Sequence, residues 1–290
     1  MFAIMGVTGQ VGGAVARTLL AAGQPVRAVL RDAGKAAAWA AQGCDIALAD
    51  VTDAAALAAA FAGADGVFVM LPPLFDPAPG FPEARAMITA LRTALAAAHP
   101  AKVVCLSTIG AQATQPNLLS QLGVMEREFS TLPMPAAFLR AAWFLENAAW
   151  DVAPARETGV IPSFLQPLDR KLPMVATADI GRVAAELLQQ TWSGRRIVEL
   201  EGPRRISPDD IAGVLAGLLG KPVRMAVVPR DAWAGLFAAQ GMHNPTPRMQ
   251  MLDGFNAGWI SFAGGAAESR QGTVDAETVL RGLVARAAPS

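Results

Sequence analysis

A glycine-rich turn between a short apolar segment and a helix limits the fold of this chain more than any other feature. Residues 2–5 are apolar and predict a strand, and Gly6-Val-Thr-Gly-Gln-Val-Gly12 follows directly and opens a helix near Gln10. Glycines allow a tight turn and let backbone N–H groups approach a pyrophosphate, and the positive end of the helix dipole points at the same anion. In this context the G-x-x-G-x-x-G spacing predicts a dinucleotide site, whereas the alternative is a plain strand–helix turn. The residues that we expect to contact the dinucleotide are Gly6, Thr8, Gly9, Gln10, Val11 and Gly12.

Strand and helix patterns alternate through the first half of the chain. Short apolar segments predict strands at residues 2–5, 26–30, 45–48, 66–71, 103–107 and 136–140. Helical spacing between them predicts the connecting helices. Repeated strand–helix units with nearly continuous apolar strands indicate a parallel sheet that is covered on both faces. We therefore predict an α/β fold in which residues 1–147 form a Rossmann-type, NAD(P)-binding domain with helices on both faces of the sheet.

Beyond Arg140 the alternation becomes irregular and prolines become frequent. The sequence Ser207-Pro-Asp-Asp210 is typical of a helix start, with a serine cap, a proline in the first turn and acids at the positive end of the dipole. We predict a smaller, partly helical C-terminal substrate or lid domain over residues 148–290. This domain is expected to be discontinuous, and residues 179–200 can return to the Rossmann sheet.

The charge and composition of the chain argue against several classes of partner. Lys and Arg together number 24, as do Asp and Glu, and no block of basic residues occurs, so we expect neither nucleic acid nor an anionic membrane as partner. The chain has no apolar run of the ~18 residues that a membrane span needs, and no basic leader precedes the first strand, so we expect a cytoplasmic protein. We expect Cys44 and Cys105 to be buried thiols, and His99 and His243 indicate no metal site.

Residues that end the second, third and fourth strands predict the cofactor. Arg31 ends strand two, where an arginine accommodates a 2′-phosphate, so the sequence favours NADP(H). The alternative is that Arg31 is a surface residue and Asp32 binds the ribose. After strand three, the pair Asp50-Val51 either borders the adenine or merely begins the next loop. Leu71 and Pro72 end strand four beside the expected cofactor, because proline lacks the N–H that a strand needs.

Several motifs together resemble one known family. They are residues 6–12, Arg31, Asp50-Val51, Ser107-Thr-Ile-Gly110, Arg140-Ala-Ala-Trp-Phe-Leu-Glu-Asn147, Ala178-Asp-Ile-Gly181 and Gly272-Thr-Val-Asp-Ala-Glu-Thr-Val-Leu280. Over nearly its whole length the chain is similar to the NmrA-like atypical short-chain dehydrogenases/reductases. The resemblance implies a Rossmann fold with a small, partly helical C-terminal substrate domain, and it implies NADP(H). It leaves the reaction open, because the family includes reductases of quinones and conjugated dyes, isoflavone-type reductases and proteins that only sense NADP(H).

The catalytic acid of the wider superfamily is absent from this chain. Typical members use a Tyr-x-x-x-Lys helix together with a serine at the end of strand five, and this sequence contains no tyrosine. Counted back from Arg140, the resemblance places the lysine position at Arg127 and the tyrosine position at Gly123. Arg127 could hold a ribose but could not shuttle a proton, because an arginine guanidinium is not deprotonated in proteins. The alternative is an exposed helix charge paired with Glu126 or Glu128.

Hydroxyl and aromatic side chains complete the candidate reaction site. Ser107 and Thr108 end strand five and face the expected nicotinamide, where a hydroxyl bonds a substrate oxygen, the carboxamide or local backbone groups. The candidate catalytic residues are thus Ser107, Thr108 and Arg127. An aromatic-walled slot would suit a flat conjugated molecule, and the alternative for its tryptophan and phenylalanines is core packing. The expected pocket residues are Phe75, Trp143, Phe144 and Asn147, and for Asn147 we favour a structural hydrogen bond.

These observations leave three functions, of which the third, a redox-inert scaffold with a vestigial site, is disfavoured by the intact glycine loop. The first is an NADPH-dependent reductase of a flat conjugated acceptor, such as a quinone or an enone, that works by direct hydride transfer. Such acceptors leave charge on a distant oxygen, so solvent can supply the proton and the lost tyrosine is tolerable. The second is a non-catalytic NADP(H)-binding redox sensor or regulatory protein that acts through a protein partner. The expected partner is therefore a small conjugated molecule, or a protein if the chain is a sensor, and the sequence leaves a homodimer open.

Overall fold

Strands and helices alternate along most of the chain in the computed structural model, which describes residues 1–287. The strands are β1 (Phe2–Met5), β2 (Val26–Leu30), β3 (Asp45–Leu48), β4 (Gly66–Val69), β5 (Val103–Thr108), β6 (Ala136–Ala141), β7 (Trp143–Phe144), β8 (Val160–Ser163), β9 (Met174–Val175), β10 (Arg195–Glu201), β11 (Arg224–Val227) and β12 (Glu268–Gln271). The α-helices are α1 (Gln10–Ala21), α2 (Ala36–Ala40), α3 (Ala54–Phe61), α4 (Pro82–Ala98), α5 (Ser120–Phe129), α6 (Ala149–Glu157), α7 (Thr177–Gln189), α8 (Pro208–Leu219), α9 (Trp233–Ala239), α10 (Thr246–Ala257) and α11 (Ala276–Arg286). Across residues 1–287, no helix is both long enough and apolar enough to cross a membrane.

Eight of these strands form one sheet, in the order β12-β10-β6-β5-β4-β1-β2-β3. Every pairing between neighbours in this sheet is parallel. Because the strands are parallel, the carboxyl ends of β1, β2, β4, β5 and β6 meet at one edge, and the glycine turn lies at that edge. The predicted α/β fold with a Rossmann-type parallel sheet is confirmed.

Helices cover both faces of the sheet, and successive strand residues contribute to two separate cores. On β5, Val104 lies in a core with residues of α1 and α7, whereas Val103 lies in a core with residues of α3, α4 and α5. Helix α7 approaches α1 very closely, because a Cβ built on Gly181 would lie 2.3 Å from the Cβ of Ala14. A glycine at position 181 therefore allows both helices to fit on the same face.

A third hydrophobic core lies beyond the sheet layer and is formed mainly by residues after Phe144. It is centred on fully buried side chains such as Trp233 and Phe237 of α9. The chain does not stay in this layer, because β10 pairs with β6 and β12 pairs with β10 in the main sheet. We propose that the residues of the third core form the second domain. The last residues of its predicted range, 288–290, lie outside the described residues.

Candidate active site

The glycine turn joins β1 to α1 through very close backbone contacts. Gly6 has a φ of +67°, a left-handed conformation that favours glycine, and its carbonyl accepts a 2.9 Å hydrogen bond from the N–H of Gly9. A Cβ at Gly12 would lie 2.4 Å from backbone atoms of Met5 and Gly6. Positions 6 and 12 therefore require glycine if α1 is to begin directly against the end of β1.

The first turn of α1 exposes backbone donors beside the glycine turn. Gly9 is the N-cap residue and has no side chain with which to cap the helix, and no acidic residue occurs in the first turn. Thr8, Gly9 and Gln10 are exposed, whereas the side chain of Val11 is buried and leaves only its backbone N–H for a ligand. Uncapped N–H groups at a helix N-terminus favour a bound anion. These residues therefore fit a pyrophosphate.

At the end of β2, the two candidates for the ribose contact have different surroundings. The Asp32 carboxylate accepts a 2.9 Å hydrogen bond from the N–H of Gly34 and caps the 3-10 turn at Ala33–Lys35. The Arg31 side chain is exposed next to it. One oxygen of Asp32 is engaged in its own turn, whereas the exposed Arg31 guanidinium is available, so the arrangement favours Arg31 as the residue that could bind a 2′-phosphate.

The ends of β3 and β4 offer apolar surface at the same edge of the sheet. The Asp50 carboxylate accepts hydrogen bonds from the hydroxyl of Thr52 over 2.6 Å and from its N–H over 2.9 Å. These bonds, with a smaller contribution from the positive charge of Arg31, lower the pKa of Asp50. Asp50 thus shapes the loop, while Val51 is half-buried against the core with α3–α5. After β4, Leu71 is buried and Pro72 is exposed, so Val51 and Pro72 could border an adenine.

A buried chain of polar side chains begins at the end of β5. The Ser107 hydroxyl donates a 2.5 Å hydrogen bond to Oε1 of Glu126 on α5. Arg140 on β6 donates to both oxygens of the same carboxylate, from Nε over 2.9 Å and from Nη2 over 2.7 Å. Its Nη1 lies 3.6 Å from Oε1 of Glu199 on β10, and Glu199 accepts two N–H bonds from the backbone at 263–264. All four side chains are buried, so the network joins three strands to α5.

The Glu126–Arg140–Glu199 cluster was missed in the sequence, which indicated Glu126 only as a partner of Arg127. Burial alone would lower the pKa of Arg140, but the hydrogen bonds and charges of Glu126 and Glu199 raise it overall. Buried charges persist when they are paired and hydrogen-bonded, as these are. Strand pairing places Arg140 beside Glu199, and the packing of α5 brings Glu126 to them, so no local spacing in the sequence indicates the cluster.

Thr108 has a freer hydroxyl than Ser107. The two side chains lie on opposite faces of β5, because successive residues of a strand alternate. Thr108 is half-buried, and its hydroxyl makes one long hydrogen bond within residues 1–287, to the carbonyl of Ile109 over 3.2 Å. A 3.2 Å O–H···O contact is longer than usual, so this proton can be redirected to a ligand.

Arg127 is exposed on α5 and does not make the ion pairs that the sequence left open. Glu126 binds Arg140 instead, and Glu128 lies 3.7 Å from Arg92. Arg127 is thus an exposed helix charge, as one alternative had it, but it is not paired with Glu126 or Glu128. Its guanidinium is accessible to a ribose or an anionic ligand.

Gly123, where the sequence predicts the tyrosine position of the wider superfamily, is closed to any side chain. A Cβ built on Gly123 would lie 2.5 Å from the carbonyl oxygen of Ala111. Because that neighbour is backbone, a larger residue would require the loop after β5 to move. The local backbone geometry therefore leaves no room for a tyrosine side chain at position 123.

The aromatic residues expected in one pocket lie in three different surroundings. Trp143 packs edge-to-face on Phe255, with ring centroids 5.1 Å apart, and borders the third core. Phe144 packs against the core with α1 and α7. Phe75 is 50% exposed and contacts Trp150, with ring centroids 6.5 Å apart. The structure therefore does not bring Phe75, Trp143 and Phe144 into one wall.

Two further residues near this region differ from expectation. Asn147 is exposed, and its side chain forms no hydrogen bond within the described chain, so the expected structural hydrogen bond is absent there. Trp150 was not a candidate, yet it is 66% exposed beside Phe75. An exposed tryptophan on a helix could have indicated this residue from the sequence, but Pro154 made α6 itself hard to predict.

Residues 1–287 show neither a metal-binding cluster nor a reactive thiol. There, no group of three or more His, Cys, Asp or Glu side chains is arranged to hold a metal ion. Cys44 and Cys105 are buried free thiols, and burial raises the pKa of both. Thiols with raised pKa values are poor nucleophiles at neutral pH.

The parallel sheet, the glycine turn and the uncapped start of α1 define a Rossmann-type protein with a dinucleotide-binding turn. Residues 1–256 match the NmrA-like family. The chain belongs to that family, which confirms the resemblance drawn from its motifs.

Three known proteins similar to this chain are named as reductases or oxidoreductases. The NAD(P)H azoreductase of Xenophilus azovorans is 29% identical over 244 residues, which cover 83% of this chain and 82% of that protein. Quinone oxidoreductase 2 of Escherichia coli (strain K12) is 27% identical over 250 residues, with the same coverage of 83% and 82%. The structure of the Citrobacter sp. triphenylmethane reductase complexed with NADP(H) is similar in fold, with a TM-score of 0.77, 21% identity and coverage of 97% of this chain and 99% of that chain.

Proposed function

We propose that this chain is an NADPH-dependent reductase of flat conjugated acceptors, such as quinones and enones, and that it needs no tyrosine acid. The observation that carries the proposal is an open dinucleotide turn at residues 6–12 combined with a closed tyrosine position at Gly123. The azoreductase and the quinone oxidoreductase support it, because azo compounds and quinones are both conjugated acceptors, and the match covers 82% of each protein.

The proposed cofactor is NADP(H), held along the carboxyl edge of the sheet. The backbone N–H groups of residues 8–11 bind the pyrophosphate, and Arg31 pairs with the 2′-phosphate. The hydrogen bond from the N–H of Gly34 to the Asp32 carboxylate supports a role for Arg31 rather than a ribose contact by Asp32. The two curated relatives are named for NAD(P)H or for quinone reduction, which is consistent with a nicotinamide cofactor.

A conjugated acceptor can be reduced without a tyrosine acid, because it spreads the negative charge that forms. The bound cofactor supplies a hydride to one end of the conjugated system. Negative charge then appears on an oxygen or nitrogen at the other end, where water can protonate it. A simple ketone cannot spread that charge, and a positioned acid is typically worth about 10²–10⁴-fold in rate for such a step.

The two hydroxyls at the end of β5 have different roles in this proposal. The Ser107 hydroxyl donates its hydrogen bond to Glu126, so its oxygen can only accept from a ligand, which suits an amide N–H of the cofactor. Thr108 can turn its proton towards an acceptor oxygen, because its present hydrogen bond is long. Arg127, which is exposed on α5, holds a ribose hydroxyl or offsets product charge in this proposal, and it does not transfer a proton.

The test is NADPH oxidation measured with a series of quinones and enones beside a series of simple ketones and aldehydes. We expect turnover of the conjugated series and rates about 10²–10⁴-fold lower for simple ketones. Fast ketone reduction would contradict the mechanism. Tight NADPH binding without turnover of either series would favour the sensor function instead.

A further inference from the structure

Arg248 lies between aromatic rings on the surface of the third core. It is a half-buried residue of α10. Its guanidinium carbon lies 4.5 Å from the ring centroid of Phe237 and 5.8 Å from that of Trp150. Contacts of this kind cover the faces of a guanidinium and leave the N–H groups at its edge to find partners in its own plane.

Those N–H groups lack an anionic partner within residues 1–287. The side chain makes one hydrogen bond there, from Nη1 to the sulfur of Met242 over 3.6 Å. Burial lowers the pKa of Arg248, and no neighbouring carboxylate offsets the effect. Arg230 shows the usual arrangement, because it lies over Trp233 and also donates to both oxygens of Asp253 over 2.7 and 2.8 Å.

Exposed aromatic surface continues from Arg248 towards the sheet. Trp150 is 66% exposed, and Phe75, which is 50% exposed, packs edge-on against it. Large exposed aromatic side chains that adjoin one another commonly mark a binding site. Here they form a continuous set with the unpaired guanidinium.

Loop contacts hold this set at the carboxyl edge of the sheet. Asp76, in the loop after β4, accepts hydrogen bonds from the N–H groups of His243 over 2.8 Å and Asn244 over 2.7 Å. The N–H of Leu118, in the segment after β5, donates to the carbonyl of Pro247 over 2.9 Å. The start of α10 is thus tied to the loops that follow β4 and β5, at the edge where the glycine turn lies.

We propose that Arg248, Trp150 and Phe75 form a subsite for flat aromatic acceptors that carry a carboxylate or sulfonate. The acid binds the in-plane N–H groups of Arg248, which match the two oxygens of such an anion, and the acceptor ring packs on Trp150 and Phe75. The inference rests on the proposed reductase function and adds a charge preference to it. Anionic acceptors are selected over neutral ones and over cationic dyes.

Equilibrium binding tests the subsite separately from turnover. The probes are anthraquinone-2-carboxylate and its uncharged carboxamide, titrated by calorimetry into the full chain with NADP⁺ present, so that no reduction occurs. We expect the carboxylate to bind about ten- to a hundredfold more tightly, as a charge-assisted contact provides. Arg248→Met should remove that preference and leave carboxamide binding unchanged within about twofold. Arg230→Met, in an arginine that already has a carboxylate partner, should keep the preference.

Two more variants keep the test valid if Arg248→Met fails to fold. Arg248→Lys keeps the charge but not the planar fork, so it should retain part of the preference. Trp150→Ala, at an exposed position, should weaken both probes. Equal binding of the two probes by the wild type would overturn the subsite, as would a Met variant that folds normally and keeps the full preference. Because NADPH oxidation is not measured, a failure of the reductase proposal and a failure of the subsite give different results.

Discussion

The Ser107 hydroxyl donates its only proton to Glu126 over 2.5 Å, and Arg140 binds the same carboxylate through both of its oxygens. A carboxylate held by an arginine has acceptor oxygens only, so the direction of the Ser107 hydrogen bond is fixed. The oxygen of Ser107, one residue before the end of β5, is therefore left as an acceptor. The neighbouring Thr108, on the other face of the strand, is the hydroxyl that can donate to a substrate oxygen.

This division predicts different kinetic effects for the two hydroxyls. Thr108→Val should lower kcat with quinones by about tenfold or more, because a hydrogen bond to a charged oxygen contributes about 1.5–3 kcal/mol. Ser107→Ala should mainly weaken cofactor binding, by less than about tenfold, because a neutral hydrogen bond contributes about 0.5–1.5 kcal/mol. Steady-state kinetics with both variants checks this. A large fall in kcat for Ser107→Ala with none for Thr108→Val would reverse the assignment.

Arg31 should determine the preference for NADPH over NADH. Arg31→Ala removes the charge that faces the 2′-phosphate, so NADPH affinity should fall by about tenfold or more while NADH affinity stays nearly constant. Calorimetric titration of both cofactors provides the measurement. Asp32→Ala is the matched control at the next position and should not create that preference or remove it. Equal wild-type affinities for the two cofactors would contradict the role of Arg31.

Gly9→Val should abolish NADPH binding and leave the fold intact. Gly9 has a φ of −93°, which a β-branched residue can adopt, and a Cβ there would meet only the carbonyl oxygen of Gly6 at 3.3 Å. The added methyl groups would occupy the pyrophosphate space, and the cost in stability should be below about 1 kcal/mol. Gly12→Val is the contrasting variant and should disrupt the fold, because its Cβ would lie 2.4 Å from backbone. Circular dichroism and NADPH fluorescence distinguish the two, and NADPH binding by Gly9→Val would show that the glycine turn has no ligand role.

Asp151 should make the stability of the protein depend on pH. Burial raises the pKa of this carboxyl in the first turn of α6 from 3.8 to about 7. The unfolded chain then loses the proton first, so stability should fall as pH rises from about 4 to about 7 and stay level above that. Asp151→Asn should be more stable than wild type at pH 8, by about 2–4 kcal/mol, and similar at pH 4.

Urea unfolding at several pH values measures that difference. Asp209→Asn is the control, because Asp209 is an exposed acid in the first turn of α8 and should not gain stability at high pH. A gain for Asp151→Asn that is the same at pH 4 and pH 8 would contradict a raised pKa in the folded state.

Local patterns in the sequence predicted several strands and helix caps, because the residues that form each of these signals lie within a few positions of each other. Strands β1, β2 and β3 have their predicted bounds. Asp53 caps α3 by accepting from two N–H groups, and Ser207 caps α8 in a reciprocal arrangement with Asp210. Such caps depend on side chains and backbone separated by two or three positions, so a single sequence shows them.

Elements beyond Arg140 were harder to predict for identifiable reasons. Helix α6 contains Pro154 in its interior, and the proline suggested irregular structure instead. Strand β12 is polar throughout and lies at the edge of the sheet, so it lacks the apolar alternation of a buried strand. The partners of Arg140 and the surroundings of Arg248 come from distant segments, and only the fold brings them together.

Isotope labelling shows where the two hydrogens added to an enone come from. The chain is given NADPH deuterated at C4, on one face or the other, and the reduced product is analysed by mass spectrometry and NMR. We expect one deuterium at the β-carbon from one of the two labelled cofactors, and a solvent-derived hydrogen at the α-carbon. A product without cofactor-derived deuterium from either label, or the absence of any reduced product, would contradict direct hydride transfer to a conjugated acceptor.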